Sequence, residues 1–169
     1  KGKLIATVDL PENIKGTFVW KGQNYPLVSG HQAFTINQQA SAGQRKYYVS
    51  SSTGDDSNDG LTPKRAFKTL AKASQLRLFP GDSLLLRAGD IWLKESLFPV
   101  GSGRPENPIV ISSYGKGARP HIKPGHDAIY GIRIVNDAGY KIKGLEVSDC
   151  YGGIVVWEEN TYNHEYIWI

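Results

Sequence analysis

Five ionisable side chains near the C-terminal end, Asp149, Glu158, Glu159, His164 and Glu165, form the densest set able to do acid–base work in the strand-rich C-terminal part of this 169-residue sequence. Cleaving a glycosidic bond needs two carboxyl groups in different protonation states, roughly 5–5.5 Å apart for retention and 6.5–9.5 Å for inversion. Elimination needs instead a base for the proton beside a uronate carboxyl, and a cation or metal for the enolate. Asp149, Glu158, His164 and Glu165 are the catalytic candidates under either chemistry, and solvated turns are the competing account. Trp157 and Trp168 each fall late in an expected strand. Exposed, they would stack on sugar rings; buried, they are packing residues. Lys123 and His126 belong to a basic cluster with Lys116, Arg119 and His121 that could hold carboxylates or sulfates. A solvated face is the alternative there.

Other chemistries find little footing. The single Cys150 excludes an internal disulfide framework and a cysteine metal set. Asp55-x-Ser57-x-Asp59-Gly60 opens like a calcium loop, but Ala66 stands where the closing glutamate belongs, so a structural turn is expected. No metal site and no cofactor are evident, and calcium is left to a longer parent protein. There is no phosphate-binding loop, dinucleotide fingerprint, serine nucleophile elbow or nucleic-acid module. A net charge of +4 permits an anionic partner without demanding one. No window approaches the 18 or so apolar residues of a membrane helix.

The elements that must position these residues are mostly short strands. About one residue in six is Gly or Pro, which suits many tight turns. Residues 1–36 read as four short strands in a meander: Leu4, Ala6, Val8 and Leu10 alternate, and turns fall at Pro11-Glu12-Asn13, Lys21–Asn24 and Ser29-Gly30-His31. They carry too little apolar surface for a core of their own and are expected to be the last strands of a β-sandwich. Residues 37–45 have linker composition. From Lys46 onward a strand and a polar turn lead to one expected helix, opened by Thr62-Pro63, with Ala66, Phe67, Leu70, Ala71 and Ala73 on one face. Strands follow at 83–87, 91–93, 109–113, 121–123, 130–135, 140–147, 153–157 and 166–169. Ile109, Ile132 and Ile154 stand 23 and 22 residues apart, close to one coil of a parallel solenoid whose coils share an apolar column.

Between Tyr47 and Tyr114 the motifs Tyr47-Tyr48-Val49-Ser50, Gly54–Gly60, Thr62-Pro63, Phe67–Ala73, Pro80-Gly81-Asp82, Leu86–Gly89 and Asn107–Tyr114 occur in an order that resembles the N-terminal entry of right-handed parallel β-helix proteins of the pectate-lyase-like superfamily. The resemblance implies an all-β fold over residues 46–169, with a capping helix plugging the first coils of a right-handed parallel β-helix. It also implies a secreted, periplasmic or cell-surface bacterial protein whose partner is a polysaccharide, neutral or anionic. Such a parent would be a polysaccharide lyase or glycoside hydrolase; a non-catalytic carbohydrate-binding or adhesive β-helix is the alternative. Residues 3–36, through Val8–Pro11, Gly16–Trp20, Tyr25-Pro26-Leu27 and Ser29-Gly30, are similar to the closing strands of the C-terminal sandwich of bacterial α-L-rhamnosidases. The terminal strand Tyr166–Ile169 would leave an open sheet edge. The natural chain is therefore expected to continue, and the 169 residues alone to show little or no activity.

Overall fold

The computed structural model describes residues 2–20, 23–38, 43–157 and 167–169. The chain divides into two compact units, Lys1–Ser41 and Ala42–Ile169. In the first, β1 (Gly2–Leu10), β2 (Gly16–Trp20), β3 (Gln23–Leu27) and β4 (Gly30–Gln38) do not follow one another as a meander. β1 pairs antiparallel with β4, and β2 with β3. The physical reason is aromatic. Phe18, Tyr25 and Phe34, one on each of β2, β3 and β4, pack with ring centroids 5.8–6.2 Å apart. Leu27 is the one buried hydrophobic residue of this unit among the described side chains. β4 extends to Gln38, into the segment expected to be linker.

The second unit opens with β5 (Lys46–Val49), β6 (Ser83–Arg87), β7 (Ile91–Leu93), β8 (Ile109–Tyr114) and β9 (His121–Lys123). It continues with β10 (Tyr130–Val135), β11 (Tyr140–Ile142), β12 (Glu146–Val147), β13 (Gly152–Trp157) and β14 (Ile167–Trp168). Every strand pair here is parallel. One sheet runs β14-β11-β8-β6-β5, a second β12-β9-β7, and a third pairs β10 with β13. The chain is thus all-β, with small sheets that are antiparallel in one unit and parallel in the other.

Register turns these pairings into columns of like residues. Tyr47, Leu84, Ile111 and Ile142 stand opposite one another on successive strands, as do Trp92, Ile122 and Val147. Nearly all of these side chains are buried, and they meet in one cluster with Leu70, Leu86, Leu97 and Ile132. The expected column of Ile109, Ile132 and Ile154 is half present. Ile132 does face Ile154, but Ile109 faces Tyr140 in another sheet, and Leu97 takes its place through a parallel bridge to Ile132. Loops of unequal length make spacing alone a poor guide to which strands stack.

The helix expected from Thr62 is interrupted. A 3-10 turn covers Pro63–Arg65, the chain opens at Ala66, and α1 (Leu70–Ala73) is a single turn. Phe67 is the cause: its N–H donates to the Tyr48 carbonyl, and its carbonyl accepts from the Ser50 N–H, so it forms a bridge beside Val49. Its ring lies against Gly60, at φ +70, where any Cβ would strike it within 2.3 Å. The cap of α1 is Thr69, not Thr62, and its hydroxyl accepts from the Lys72 N–H at 3.0 Å. Asp56 accepts from the Lys68 and Thr69 N–H groups and from the Thr69 hydroxyl. Burial opposes ionisation of Asp56, yet these donors prevail and hold its carboxyl below the usual range. Ala66, Phe67, Leu70 and Ala73 are buried as expected, whereas Ala71 is exposed. No helix among the described residues is long and apolar enough to cross a membrane.

Because Ile132 sits fully buried between Leu97 and Ile154, Ile132→Ala removes contacts on both sides. Urea unfolding should show a loss of about 2–5 kcal/mol, and a loss below the error of the measurement would contradict the column.

Candidate functional site

Alternation on β10 sets the first part of the site. Ile132 and Ile134 face the core, so Arg133 and Val135 point to the other side of the sheet. Parallel register then places Val155 beside Arg133 and Trp157 beside Val135, about 4.8 Å away, the strand spacing. On the other flank the Leu97 N–H donates to the Gly131 carbonyl, and the Arg133 N–H donates to the Leu97 carbonyl. That pairing brings Phe98 next to Arg133. The Phe98 N–H donates to the Ser74 hydroxyl, which itself donates to the Leu70 carbonyl. The last turn of α1 therefore fixes this flank.

The Arg133 guanidinium lies 5.8 Å from the Phe98 ring centroid and 5.5 Å from that of Tyr130, within cation–π range. Its Nε is buried without a hydrogen-bond partner. A groove of about 320 Å³ runs past Phe98, Pro99, Val100, Arg133, Val135 and Asp137. Asp137 is held at its rim by the Gly101 N–H at 2.9 Å and the Ser102 hydroxyl at 2.6 Å. Trp157 is 52% exposed and Phe98 44%. The question of whether Trp157 is surface or core is settled in favour of the surface.

A second cluster lies at the turns after β9 and β12. Lys123 Nζ meets Asp149 Oδ2 at 3.2 Å, so a catalytic candidate and a binding candidate form one ion pair. His126, Asp149, Cys150 and Tyr151 line a shallow depression of about 410 Å³ beside it. The hydrogen bond from Lys123 holds the Asp149 carboxyl below the ordinary aspartate range; partial burial pulls the other way, and the charges of Lys123, His126 and His121 add to the depression. Asp149 is thus kept ionised, which suits a base or nucleophile and disfavours a general acid. Burial pushes the Cys150 thiol up, so it is a poor thiolate.

Two members of the basic cluster already have partners. His121 Nε2 is 2.8 Å from the Ser148 hydroxyl and 3.7 Å from Glu146, and Lys123 is occupied by Asp149. Lys116 and Arg119 are exposed in the Gly-rich turn. Glu158, His164 and Glu165 lie outside the described residues, as does the side chain of Trp168, whose backbone pairs with Lys141. The acidic turn behaves as the structural turn expected: Asp55 accepts from the Ser57 N–H and hydroxyl, Asp59 from the Leu61 N–H, and Asp59 also pairs with Arg65. Among the described residues no three His, Cys, Asp or Glu side chains are grouped to hold a metal ion. Arg133, Phe98 and Asp137 were not singled out by the sequence. The alternation of Tyr130–Val135 marks Arg133 as outward-facing, but nothing local links it to Phe98.

The comparisons point to one class, the glycoside hydrolases. A 72-residue stretch is 40% identical to the lacto-N-biosidase of Bifidobacterium longum subsp. longum, covering 41% of this chain and 4% of that protein. A 71-residue stretch is 32% identical to α-1,3-galactosidase A of Akkermansia muciniphila, covering 42% of this chain and 12% of that protein. Among solved structures, the GH136 lacto-N-biosidase of Eubacterium ramulus is similar with a TM-score of 0.58 and 30% identity, over 65% of this chain and 21% of that one. The native crystal form gives the same score over 64% of this chain. The chain therefore spans about a fifth of the solved relative and less of the curated ones. No family model matches. These relatives overturn the resemblance to the pectate-lyase-like superfamily: the similar proteins and structures are lacto-N-biosidases and a galactosidase. The α-L-rhamnosidase likeness of residues 3–36 gains nothing from them.

Replacing Lys123 by Met removes the donor that keeps Asp149 ionised. Carboxyl-detected NMR titration should then show the Asp149 midpoint move up towards the ordinary aspartate value; an unmoved midpoint would mean that Lys123 is not the cause.

Proposed function

We propose that this chain is part of a glycoside hydrolase that acts on galactose-containing oligosaccharides. The likeness to the GH136 lacto-N-biosidase, at 30% identity over 65% of the chain, carries the reading. The names of both curated relatives, a biosidase and a galactosidase, favour hydrolysis over elimination. The residues agree. Asp149 supplies one ionised carboxylate, as hydrolysis requires of one member of its pair, while Glu158 and Glu165 remain the candidates for the other. A location outside the cytoplasm, where such glycans are met, belongs to the same proposal.

The finer reading of the fold is a right-handed parallel β-helix, independent of any pectate-lyase-like kinship. It is supported by parallel register maintained across five strands of one sheet and three of another, and by the strong right-handed preference of parallel crossovers. A second reading, that this piece binds glycan without cleaving it, is favoured by one observation. Asp90, Asp137 and Asp149 are each engaged by hydroxyl, amide or ammonium donors.

The test is a glycoside panel incubated with the protein in its full natural length and, separately, with the 169-residue chain. The full-length protein should release free sugar from lacto-N-biosides or α-1,3-galactosides, with no unsaturated uronate product from any polymer, and the 169-residue chain should release none. Unsaturated uronate from an acidic polysaccharide, or inertness towards every galactoside, would reject the reading.

A further inference from the structure

We propose that the groove bounded by Phe98, Arg133 and Asp137, with Trp157 at its edge, is a subsite for one neutral pyranose of a galactose-containing oligosaccharide. The inference deepens the function proposed above and rests on it for the class of sugar. The groove combines three features that a pyranose can answer together. Phe98 and Val135 line it, Trp157 stands beside Val135 on the adjacent strand, and Phe98 and Trp157 are both substantially exposed. Galactose carries a patch of C–H groups on one ring face, which packs on such surfaces.

It also holds an unspent cationic donor. Among the described residues Arg133 makes no ion pair and no side-chain hydrogen bond, and its buried Nε has no acceptor. The terminal N–H groups of the guanidinium are not among its buried unpaired atoms, and a sugar hydroxyl oxygen reaching them would accept a charge-assisted hydrogen bond. Two aromatic rings hold the guanidinium plane in place, so little conformational freedom is lost when it donates.

The third feature selects neutral over acidic sugars. Asp137 lines the same groove, and its carboxylate is fixed there by Gly101 and Ser102. An incoming carboxylate or sulfate would meet that negative charge, whereas a hydroxyl can donate to Asp137 and accept from Arg133 at once. The positions are also built on strands. Arg133 and Trp157 come from adjacent parallel strands, and the Asn136 N–H donates to the Trp157 carbonyl at 3.0 Å, which ties the end of β13 to β10. A site carried on paired strands is preorganised in a way that a loop site is not.

Titration of the isotopically labelled 169-residue chain with the disaccharide lacto-N-biose, followed by NMR, tests this directly. The Trp157 indole N–H and the Arg133 Nε–H should shift saturably. Trp157→Ala and Arg133→Met should each weaken binding about five- to tenfold, as expected for loss of one stacking or hydrogen-bonding partner, with the remaining amide spectrum unchanged. Arg133→Met keeps the apolar stem, and Trp157 is exposed, so at least one variant retains the fold. Still resonances, variants that bind like the parent chain, or tighter binding of galacturonate or galactose sulfate would overturn the subsite. Hydrolysis by the full-length protein without binding at this groove would sink the subsite and leave the proposed function standing. Binding here with no hydrolysis by the full-length protein would sink that function and keep the subsite.

Discussion

In-register parallel pairing is the constraint on which the second unit depends. When strands stack in parallel without slippage, each position faces its own kind on the next strand, so an inward column must be apolar along its whole length. Tyr47, Leu84, Ile111 and Ile142 obey this, as do Trp92 and Ile122. A slip of one residue on β10 or β11 would bury Arg133 or Lys141 and expose an isoleucine, so register and burial enforce each other. The same rule creates the outward rows. Side chains such as Arg133, Val135, Val155 and Trp157 are aligned because the isoleucines between them must be.

At β5, the edge strand of the five-stranded sheet, the helix is broken for a backbone reason. A continuous helix over 62–73 would have satisfied its own backbone but left the Tyr48 carbonyl and Ser50 N–H without partners. Extending the chain at Ala66 lets Phe67 answer both, and its ring fills the space above Val49 that Gly60 leaves free. One helical turn is unstable alone. It persists because Thr69 and Asp56 cap it and because Leu70 and Ala73 are buried. Its last turn then serves the exposed sheet, since Ser74 bridges Leu70 to Phe98.

Much of this was legible in the sequence, and the failures have physical causes. Most strands from Ser83 to Trp157 were readable because short alternating runs between Gly and Asn turns have few other solutions. The one expected over 140–147, however, divides near Gly144, at φ +69, into β11 and β12 of different sheets. The helix was over-read because helical periodicity in Ala66, Phe67, Leu70 and Ala73 is also satisfied by a bend that buries the same side chains. The nested pairing of β1 with β4 was hidden, since it depends on three rings from separate strands. At the site, Trp157, Lys123, His126 and Asp149 were identifiable by type. The pairing of Lys123 with Asp149 was not, because it joins loops after β9 and β12 that only register brings together. Arg133 went unnoticed for the opposite reason: one arginine in a strand is unremarkable until both rings beside it are known.

The two candidate surfaces differ in what their charges are free to do, and this bears on function more than their composition does. Lys123 and Asp149 satisfy each other in water, where an exposed pair contributes little and can be opened by a ligand at small cost. Arg133 is positioned but unanswered, with its partner rings already in place. A protein retains an unsatisfied buried donor only where something else compensates, and cation–π contact offsets part of the loss without using the N–H groups. The terminal N–H groups, rather than the buried Nε, are what this rigid, apolar, outward face can offer a ligand. Recognition of a polyol requires that combination, because each hydroxyl must be met in direction as well as in polarity, and an ion pair already closed on itself offers neither.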